Sequence, residues 1–403
     1  MSLNNESPKM TPAVRAAGFT GDWEQRKLSG LFETQSRPIN MEANSEYELV
    51  TVKRRNGGVV SRGKFKGNEV LVKSQFELRS GDFLISKRQV VHGATGIVPR
   101  SLDGAIVSNE YLVLRGNSML NTDFFRILSE RPQMYLLYFL SSYGIDIEKL
   151  VFNVRMWMNK EILIPSLNEQ LKNCTLIQKL DDTVISHQHK LSGLQQARSW
   201  AEQNLFPTSN KITPKVRVDE FDGAWTSTNI GDICKEIKDR SANGELLSVT
   251  RHNGVVRFSE TGRKDNSSND KSNYKWVSKG DLVYNSMRMW QGASGLSKYD
   301  GIVSPAYTVV KLEPTVDGNF ISLLFKNDPL VFIFRRHSKG LTSDTWNLKY
   351  PELSKIRISY PSLAEQQAIA KVFTTIDARI KSEQQLIADL QEVKRWALDN
   401  MFV

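Results

Sequence analysis

From Ile177 to Leu205 the apolar residues recur at alternating steps of three and four: Ile177, Leu180, Val184, Leu191, Leu194, Ala201 and Leu205, with polar His187 and Arg198 in the two gaps. A second series repeats this from Phe373 through Ile376, Ile380, Ile387, Leu390, Ala397 and Met401, with Glu383 and Lys394 in its gaps. Alternating steps of three and four make an a/d heptad seam, so each stretch predicts one long helix that pairs with a partner. A helix of about 40 residues spans roughly 60 Å at ~1.5 Å per residue, too long to hide in a globular domain. Paired parallel and in register, Arg198 would meet Lys394. Run antiparallel about their middles, Arg198 faces Glu383 and His187 faces Lys394, so the expectation is an antiparallel pair. Each helix follows a Pro-Ser-Leu, and Ser166 with Glu169 three residues on reads as an N-cap and capping box.

Elsewhere the periodicity is that of strands. "YELVTVKR", "GDFLISKR", "AIVSNEYLVLR" and "EILIPS" cluster β-branched residues between Gly, Asn and Asp turns, and "GELLSVTR", "GDLVYNSMR", "GIVSPAYTVVKL" and "SKIRISYPS" answer them later in the chain. Between the last two strands of each set lies an apolar helical stretch, Asp123–Gly144 and Gly318–Gly340. Each set predicts a mixed α+β globule of roughly ordinary domain size.

The two sets are copies. Pro12, Val14, Arg15, Phe19, Gly21 and Trp23 fall on Pro214, Val216, Arg217, Phe221, Gly223 and Trp225. "ELVTVKRRNG" from Glu48 answers "ELLSVTRHNG" from Glu245, and "GATG" from Gly93 answers "GASG" from Gly292. "PSLNEQ" from Pro165 answers "PSLAEQ" from Pro361; Trp200, Asn204 and Phe206 answer Trp396, Asn400 and Phe402. Collinear matches at an offset drifting only between 196 and 202 mean two copies of one domain. The expected organisation is an α+β fold in four parts: a globular domain over residues 1–165, a helix over 166–210, a second globular domain over 211–360 and a second helix over 361–403, with the two long helices forming an antiparallel coiled coil. Phe and Trp of the doubled Phe-x-Gly-x-Trp opening read as core anchors.

Composition narrows the chemistry. The 403 residues carry a formal net charge of +10, which favours a polyanionic partner. No apolar run reaches a membrane span. The start has no apolar h-region, so no secretory leader is expected; the expected setting is the cytoplasm. Cys174 and Cys234 give neither a metal spacing nor a disulfide framework and read as buried thiols. No phosphate loop, dinucleotide fingerprint, methyltransferase Asn-Pro-Pro-aromatic element or His-Glu-x-x-His occurs. "DICKEIK" (Asp232–Lys238) holds a Glu-x-Lys that resembles part of a nuclease site, a common coincidence in a basic protein. His187 and His189, two apart on a helix, point different ways and make a poor metal pair. No catalytic residue and no metal ligand is expected.

The basic residues gather at the ends of the β segments. In the first copy these are Arg54, Arg55, Arg62, Lys64, Lys87 and Arg88; in the second they are Arg251, Asn253, Arg288, Gln291, Arg335, Arg336 and Lys339. Arg, Asn and Gln at loop tips can reach base edges, whereas Lys more often holds phosphate. For each residue taken singly a solvated basic rim is the competing reading. The residues shared between copies are Gly, Asp, Pro, Trp and apolar ones, while those flanking them differ: "KRRNGGVVSRGKFKG" against "TRHNGVVRFSETGRKD". One scaffold with two polar surfaces suits a reader of two different short sequences.

Phe-x-Gly-x-Trp with "EQRKL", "PSLxEQ" entering a long helix, "PSLAEQQAIAKVFTTIDARI" (Pro361–Ile380) and closure on Trp-Ala-x-x-Asn-x-Phe together resemble the specificity (S) subunit of type I restriction-modification systems, over essentially the whole chain. The resemblance implies two target recognition domains, each reading one half of a bipartite, asymmetric site in double-stranded DNA, and spacer helices packed as an antiparallel coiled coil. It implies a non-catalytic bacterial subunit that holds two modification (methyltransferase) subunits and two ATP-driven restriction subunits. S-adenosylmethionine, ATP and Mg2+ would then belong to those partners, with no cofactor in this chain. The competing reading is a stand-alone DNA-binding regulator with two recognition modules; a nuclease rests only on the Glu-x-Lys match.

Overall fold

The computed structural model describes residues 11–73, 75–208, 211–219, 221–265 and 267–403. The first ten residues, on which part of the leader expectation rests, and Glu220, just before the second Phe-x-Gly-x-Trp, lie outside the described residues. The chain divides into two compact units, Met1–Ser186 with Ile387–Val403, and His187–Leu386.

In the first unit Trp23 leads into the strand Glu24–Lys27, which pairs antiparallel with Glu161–Ile164, the strand just before Pro165. Entry and exit of the β segment therefore lie side by side, at the start of the central helix Leu167–Asn204. A four-stranded antiparallel sheet runs in the order Phe32–Thr34, Tyr111–Gly116, Phe83–Ser86, Thr95–Ile97. "AIVSNEYLVLR" breaks into two strands, Ile106–Ser108 and Tyr111–Gly116, which join different sheets. The second sheet orders Pro38–Ile39, Gln75–Glu77, Ile106–Ser108, Glu46–Val52 and Val59–Lys66. The helical stretch folds as two helices, Thr122–Ser129 and Pro132–Leu140. Pro132 lacks an N–H and fits only a first turn, so a new helix starts there. Phe125 lies edge-on to Phe32 at 4.6 Å and to Phe83 at 5.1 Å, in a core shared with Trp23, Trp157 and Met401.

The second unit repeats this plan. Thr226–Asn229 pairs with Arg357–Tyr360, and a sheet of the same order runs Cys234–Ile237, Tyr307–Leu312, Leu282–Asn285, Ser294–Leu296. Its helical stretch again splits before a proline, into Gly318–Leu324 and Asp328–His337. The counterpart of the five-stranded sheet is reduced to two pairs, Leu247–Thr250 with Gly254–Arg257 and Lys275–Val277 with Gly301–Val303. The parallel contact that joins the sheet in the first unit, Leu49 to Ile106, has its equivalent in the bridge Leu246 to Ile302.

The doubled motifs fasten each unit to its helices. Arg15 donates from Nε and Nη2 to both carboxylate oxygens of Glu169 (2.9 and 2.6 Å), and Arg217 does the same to Glu365 (2.5 and 2.6 Å). Both glutamates are buried, and the paired carboxylate raises the pKa of each arginine. The residue before each arginine closes a helix end: Val14 N–H donates to Asn400 C=O (2.9 Å) and Val216 N–H to Asn204 C=O (3.1 Å), satisfying carbonyls that a helix terminus leaves open. Gln170 accepts from Asn121 N–H and donates to Pro165 C=O; Gln366 does so with Asp317 and Pro361. The capping-box expectation is thus corrected. Ser166 does cap the helix, at 3.4 Å from Glu169 N, but the Glu169 carboxylate is taken by Arg15.

The terminal phenylalanines finish the cores. Phe402 stacks on Phe124 at 5.6 Å in the first unit, and Phe206 on Phe320 at 5.7 Å in the second. Trp23 and Trp225 are buried beside these rings, while Phe19 is half-buried under the Lys172 ammonium at 4.8 Å.

Both units contain a length of the central helix paired with a length of the C-terminal helix Leu363–Asn400. In the second unit Glu383 accepts from His187 (2.6 Å) and Lys190 (2.5 Å), and Asp377 from Arg198 (2.5 Å). Numbers rise on one helix as they fall on the other, so the pair is antiparallel. In the first unit Lys394 meets Asp181 at 2.5 Å. The expected partners are therefore wrong. Arg198 meets Asp377 and its own helix neighbour Glu202 where Glu383 was expected, and Lys394 meets Asp181 where His187 was expected. Each substitution is six residues along, close to one heptad, and a slide of one heptad leaves an a/d seam matched. Seam residues Ile177, Val184, Phe373 and Ile387 are buried, and Leu180, Leu191, Leu194, Ile376, Ile380 and Leu390 half-buried between exposed neighbours.

Candidate nucleic-acid interface

In the first unit the long hairpin Glu46–Val52/Val59–Lys66 ends in a turn in which Arg55 (φ 58°) and Asn56 (φ 56°) take left-handed conformations. Such a turn needs support in a non-glycine residue. Arg55 N–H donates to His92 C=O (2.7 Å) and Asn56 N–H to Gly93 C=O (2.9 Å), docking the tip on the connection after Phe83–Ser86. Arg54 is engaged by Gln89 Oε1 (2.7 Å) and Glu148 Oε2 (2.9 Å), Lys87 by Asn109 C=O (2.6 Å), and Arg88 by Glu110 (3.0 Å). The side chains of Arg55, Arg62 and Lys64 are exposed, with no hydrogen bond or ion pair among the described residues. Beneath the tip lies a cavity of about 590 Å³ lined by Arg54, Arg55, His92, Glu130, Tyr138 and Glu148.

The second unit's hairpin is shorter, with strands of four residues, and its tip carries Arg251, His252 and Asn253. Gly254 (φ 64°) lets the tip approach Gly295, whose absent Cβ would lie 2.7 Å from Gly254 Cα. Arg251 and Asn253 are exposed; Arg288 precedes and Gln291 ends the short helix Met289–Gln291, and both are half-buried. Arg335 lies over the Trp346 ring at 5.3 Å, and Trp346 is edge-on to Trp290 at 5.2 Å. Arg336 is exposed without a partner among the described residues, and Lys339 pairs with Glu352 at 2.9 Å. A cavity of about 610 Å³ occupies the equivalent place, lined among others by Arg198, Lys215, Arg251, Gln291 and Lys326. Burial lowers the pKa of Lys326, helped by the Arg198 charge, and its Nζ donates to His252 C=O at 3.2 Å.

In each unit most of the named positions gather around one hairpin tip and one connection, with Arg335, Arg336 and Lys339 at the end of the helix Asp328–His337 and just after it. Arg62 and Lys64 stand apart on the longer strand that only the first unit has. The arginines that reach helix-entry glutamates, and the Trp290–Trp346 pair, were not picked out from the sequence. Arg15 and Glu169 each sit in a doubled motif, and their joint doubling was the available signal.

Asp232 accepts from Thr228 and from Asn229 N–H at a helix start, and Glu236 lies 3.9 Å from both Lys238 and Lys275. Burial pushes the thiols of half-buried Cys174 and buried Cys234 up to about 12. Among the described residues no cluster of three or more His, Cys, Asp or Glu is arranged to hold a metal, and no helix is long and apolar enough to cross a membrane.

Residues 223–392 match the family model described as "Type I restriction modification DNA specificity domain". No curated protein sequence matches the chain. Among solved structures, the HsdS subunit from Thermoanaerobacter tengcongensis is similar over 94% of this chain and 96% of its own, at 16% identity and a TM-score of 0.52. The type I restriction-modification system S subunit from M. genitalium is similar over 98% and 99%, at 13% identity and a TM-score of 0.54. At such identities the likeness shows the fold. The resemblance to specificity subunits of such systems is thus borne out by the family-model match over residues 223–392, and the two-domain, two-helix fold by the structural likeness along the chain.

Proposed function

We propose that this chain is the target-reading subunit of a type I restriction-modification complex, with each unit reading one half of a bipartite, asymmetric DNA site. The observation that carries this reading is one scaffold built twice, down to its Arg–Glu anchors, under hairpin tips whose polar residues differ. Arg54, Arg55, Arg62, Lys64, Lys87 and Arg88 would meet one half-site; Arg251, Asn253, Arg288, Gln291, Arg335, Arg336 and Lys339 would meet the other. Free side chains such as Arg55 and Arg251 are placed to search base edges, while Arg54 and Lys339, already tied to carboxylates, are better suited to hold the tips in shape.

The chain does no chemistry itself. Two modification subunits bring S-adenosylmethionine, and two restriction subunits bring ATP and Mg2+, in the cytoplasm. Exposed apolar residues on the helices, Leu167, Leu171, Ile185, Val393 and Trp396 in the first unit and Trp200, Leu363 and Leu386 in the second, offer a docking face for modification subunits. The coiled coil sets the length of the unread spacer between half-sites. One heptad added to both helices lengthens them by ~10 Å, seven residues at ~1.5 Å each, or about 3 base pairs at ~3.4 Å.

Methylome sequencing of a host carrying this chain and its modification partner tests the reading. A bipartite methylated motif is expected, with a spacer that grows on heptad insertion. A single contiguous motif, or none, would refute it.

A further inference from the structure

Each unit carries a small hairpin whose tip holds an aliphatic side chain that nothing in its own unit covers. In the first, Ser142–Tyr143 pairs with Val151–Phe152, and Phe152 N–H donates to Lys87 C=O at 3.0 Å. In the second, Lys339 bridges Asn347, and Leu348 N–H donates to Ser286 C=O at 2.8 Å. The tips begin with Gly144 (φ 153°) and Gly340 (φ 152°), backbone that side-chain-bearing residues rarely adopt. A Cβ at Gly340 would also lie 2.6 Å from Thr345 O. The next residues, Ile145 and Leu341, are fully exposed, at 108% and 100%.

Apart from this glycine and aliphatic, the tips share nothing: "GIDIEKL" against "GLTSDTW". In two domains whose polar tips differ, an exposed feature kept in both must act without regard to sequence. Both tips adjoin residues proposed above to meet DNA. Glu148 of the first tip holds Arg54, and Trp346 of the second stacks under Arg335 beside Lys339. Leu341 stands alone among Thr342, Ser343 and Asp344, with no apolar patch around it in sequence, whereas Ile145 lies between exposed Tyr143 and Ile147, so the test below includes a protein-contact outcome.

We propose that Ile145 and Leu341 are wedges, each entering a base step of the half-site its unit reads and unstacking it. Aliphatic wedges open base steps and kink the duplex, and any step can be opened, flexible pyrimidine–purine steps most readily. This rests on the DNA-reading function proposed above.

The test uses the full chain with its modification subunit on a duplex bearing the methylome-derived target. 2-Aminopurine is placed in turn at positions other than the methylated adenines. Binding of the unaltered chain is expected to raise fluorescence at one step in each half-site. Ile145→Ala should remove the rise in one half-site only, Leu341→Ala in the other only, and Ile145→Leu should retain it. Unchanged fluorescence in both alanine variants overturns the proposal. So does unchanged fluorescence with weakened retention of the modification subunit, which would mark the tips as protein contacts. If the unaltered complex does not bind the duplex, the DNA-reading function itself falls, and the wedge with it.

Discussion

Asp82 and Asp281 sit at the same place in the two copies, after the same glycine, and both are buried. Asp82 is held by Arg37 at 2.6 Å and Arg115 at 2.8 Å and accepts from Arg79 N–H. Among the described residues Asp281 keeps the equivalent backbone bond, from Ser278 N–H, and no arginine pairs with it; burial raises its pKa. A similar contrast holds at Glu130 and Lys326, equivalent residues of opposite charge. Burial raises the pKa of the first and lowers that of the second. At the helix entries, by comparison, the two units repeat the bidentate Arg–Glu pair, the two glutamine bonds and the backbone bond to a helix end, and differ in added contacts such as Trp225 Nε1 to Glu365 (3.4 Å) and Gln170 to Met119 C=O (2.9 Å). What is duplicated unaltered is the fastening of the β segment to its helices; the side chains around the sheets and tips are free to change once that fastening holds.

Four experiments would break or sharpen that comparison. The largest effect is expected at the closing phenylalanines. Phe206→Ala and Phe402→Ala should each cost about 3–4 kcal/mol of the stability of the unit they close, and a small loss in only one would end the equivalence of the two closures. Asp82→Asn should cost about 3 kcal/mol by stranding two arginines around a buried site. Asp281→Asn should be neutral or stabilising near pH 7, read by urea melts. The sign follows from linkage: an aspartate whose folded pKa is raised favours the fold below its unfolded pKa, and that contribution fades as pH rises through the folded value. Equal losses in both variants would show that Asp281 has a partner the geometry does not reveal. For the half-exposed Lys394–Asp181 pair, a double-mutant cycle should give a coupling of roughly 0.5 kcal/mol; zero coupling there, with coupling between Lys394 and His187, would restore the other register. Finally, Lys190 and His187 hold the Glu383 carboxylate below its usual range. Its contribution is present above the ordinary carboxylate pKa and lost as pH falls through the lowered one, so Glu383→Gln should destabilise at pH 7 and make no difference in strong acid.

The doubled plan, the long helices and their antiparallel sense were legible because they rest on patterns many residues long. The register was not. A seam repeating every seven residues looks the same to a partner displaced by seven, and long charged side chains find a new partner after the slide, as Arg198 finds Asp377. The Ser166–Glu169 box was misread for a related reason: a glutamate three residues after a cap also suits an arginine brought in from a distant segment. At the candidate site the sequence could name basic residues by type. Whether a given one is free, like Arg55, or spent on a neighbour, like Arg54, depends on Gln89 and Glu148, which only folding brings near. Gly144-Ile145 and Gly340-Leu341 passed unnoticed because two shared residues in a loop are no signal until their exposure is seen.

The first unit draws Ala397, Met401 and Phe402 into its core, and this has a consequence for biosynthesis. A ribosome delivers the first recognition segment early but its last core residues only some two hundred residues after Phe206, at ~5–20 residues per second. The second unit, contiguous from His187 to Leu386, has all its parts sooner. The half of the molecule that is translated first therefore receives its last core residues after the second unit is fully synthesised, and until then its aromatic cavity waits with the Phe402 place unfilled.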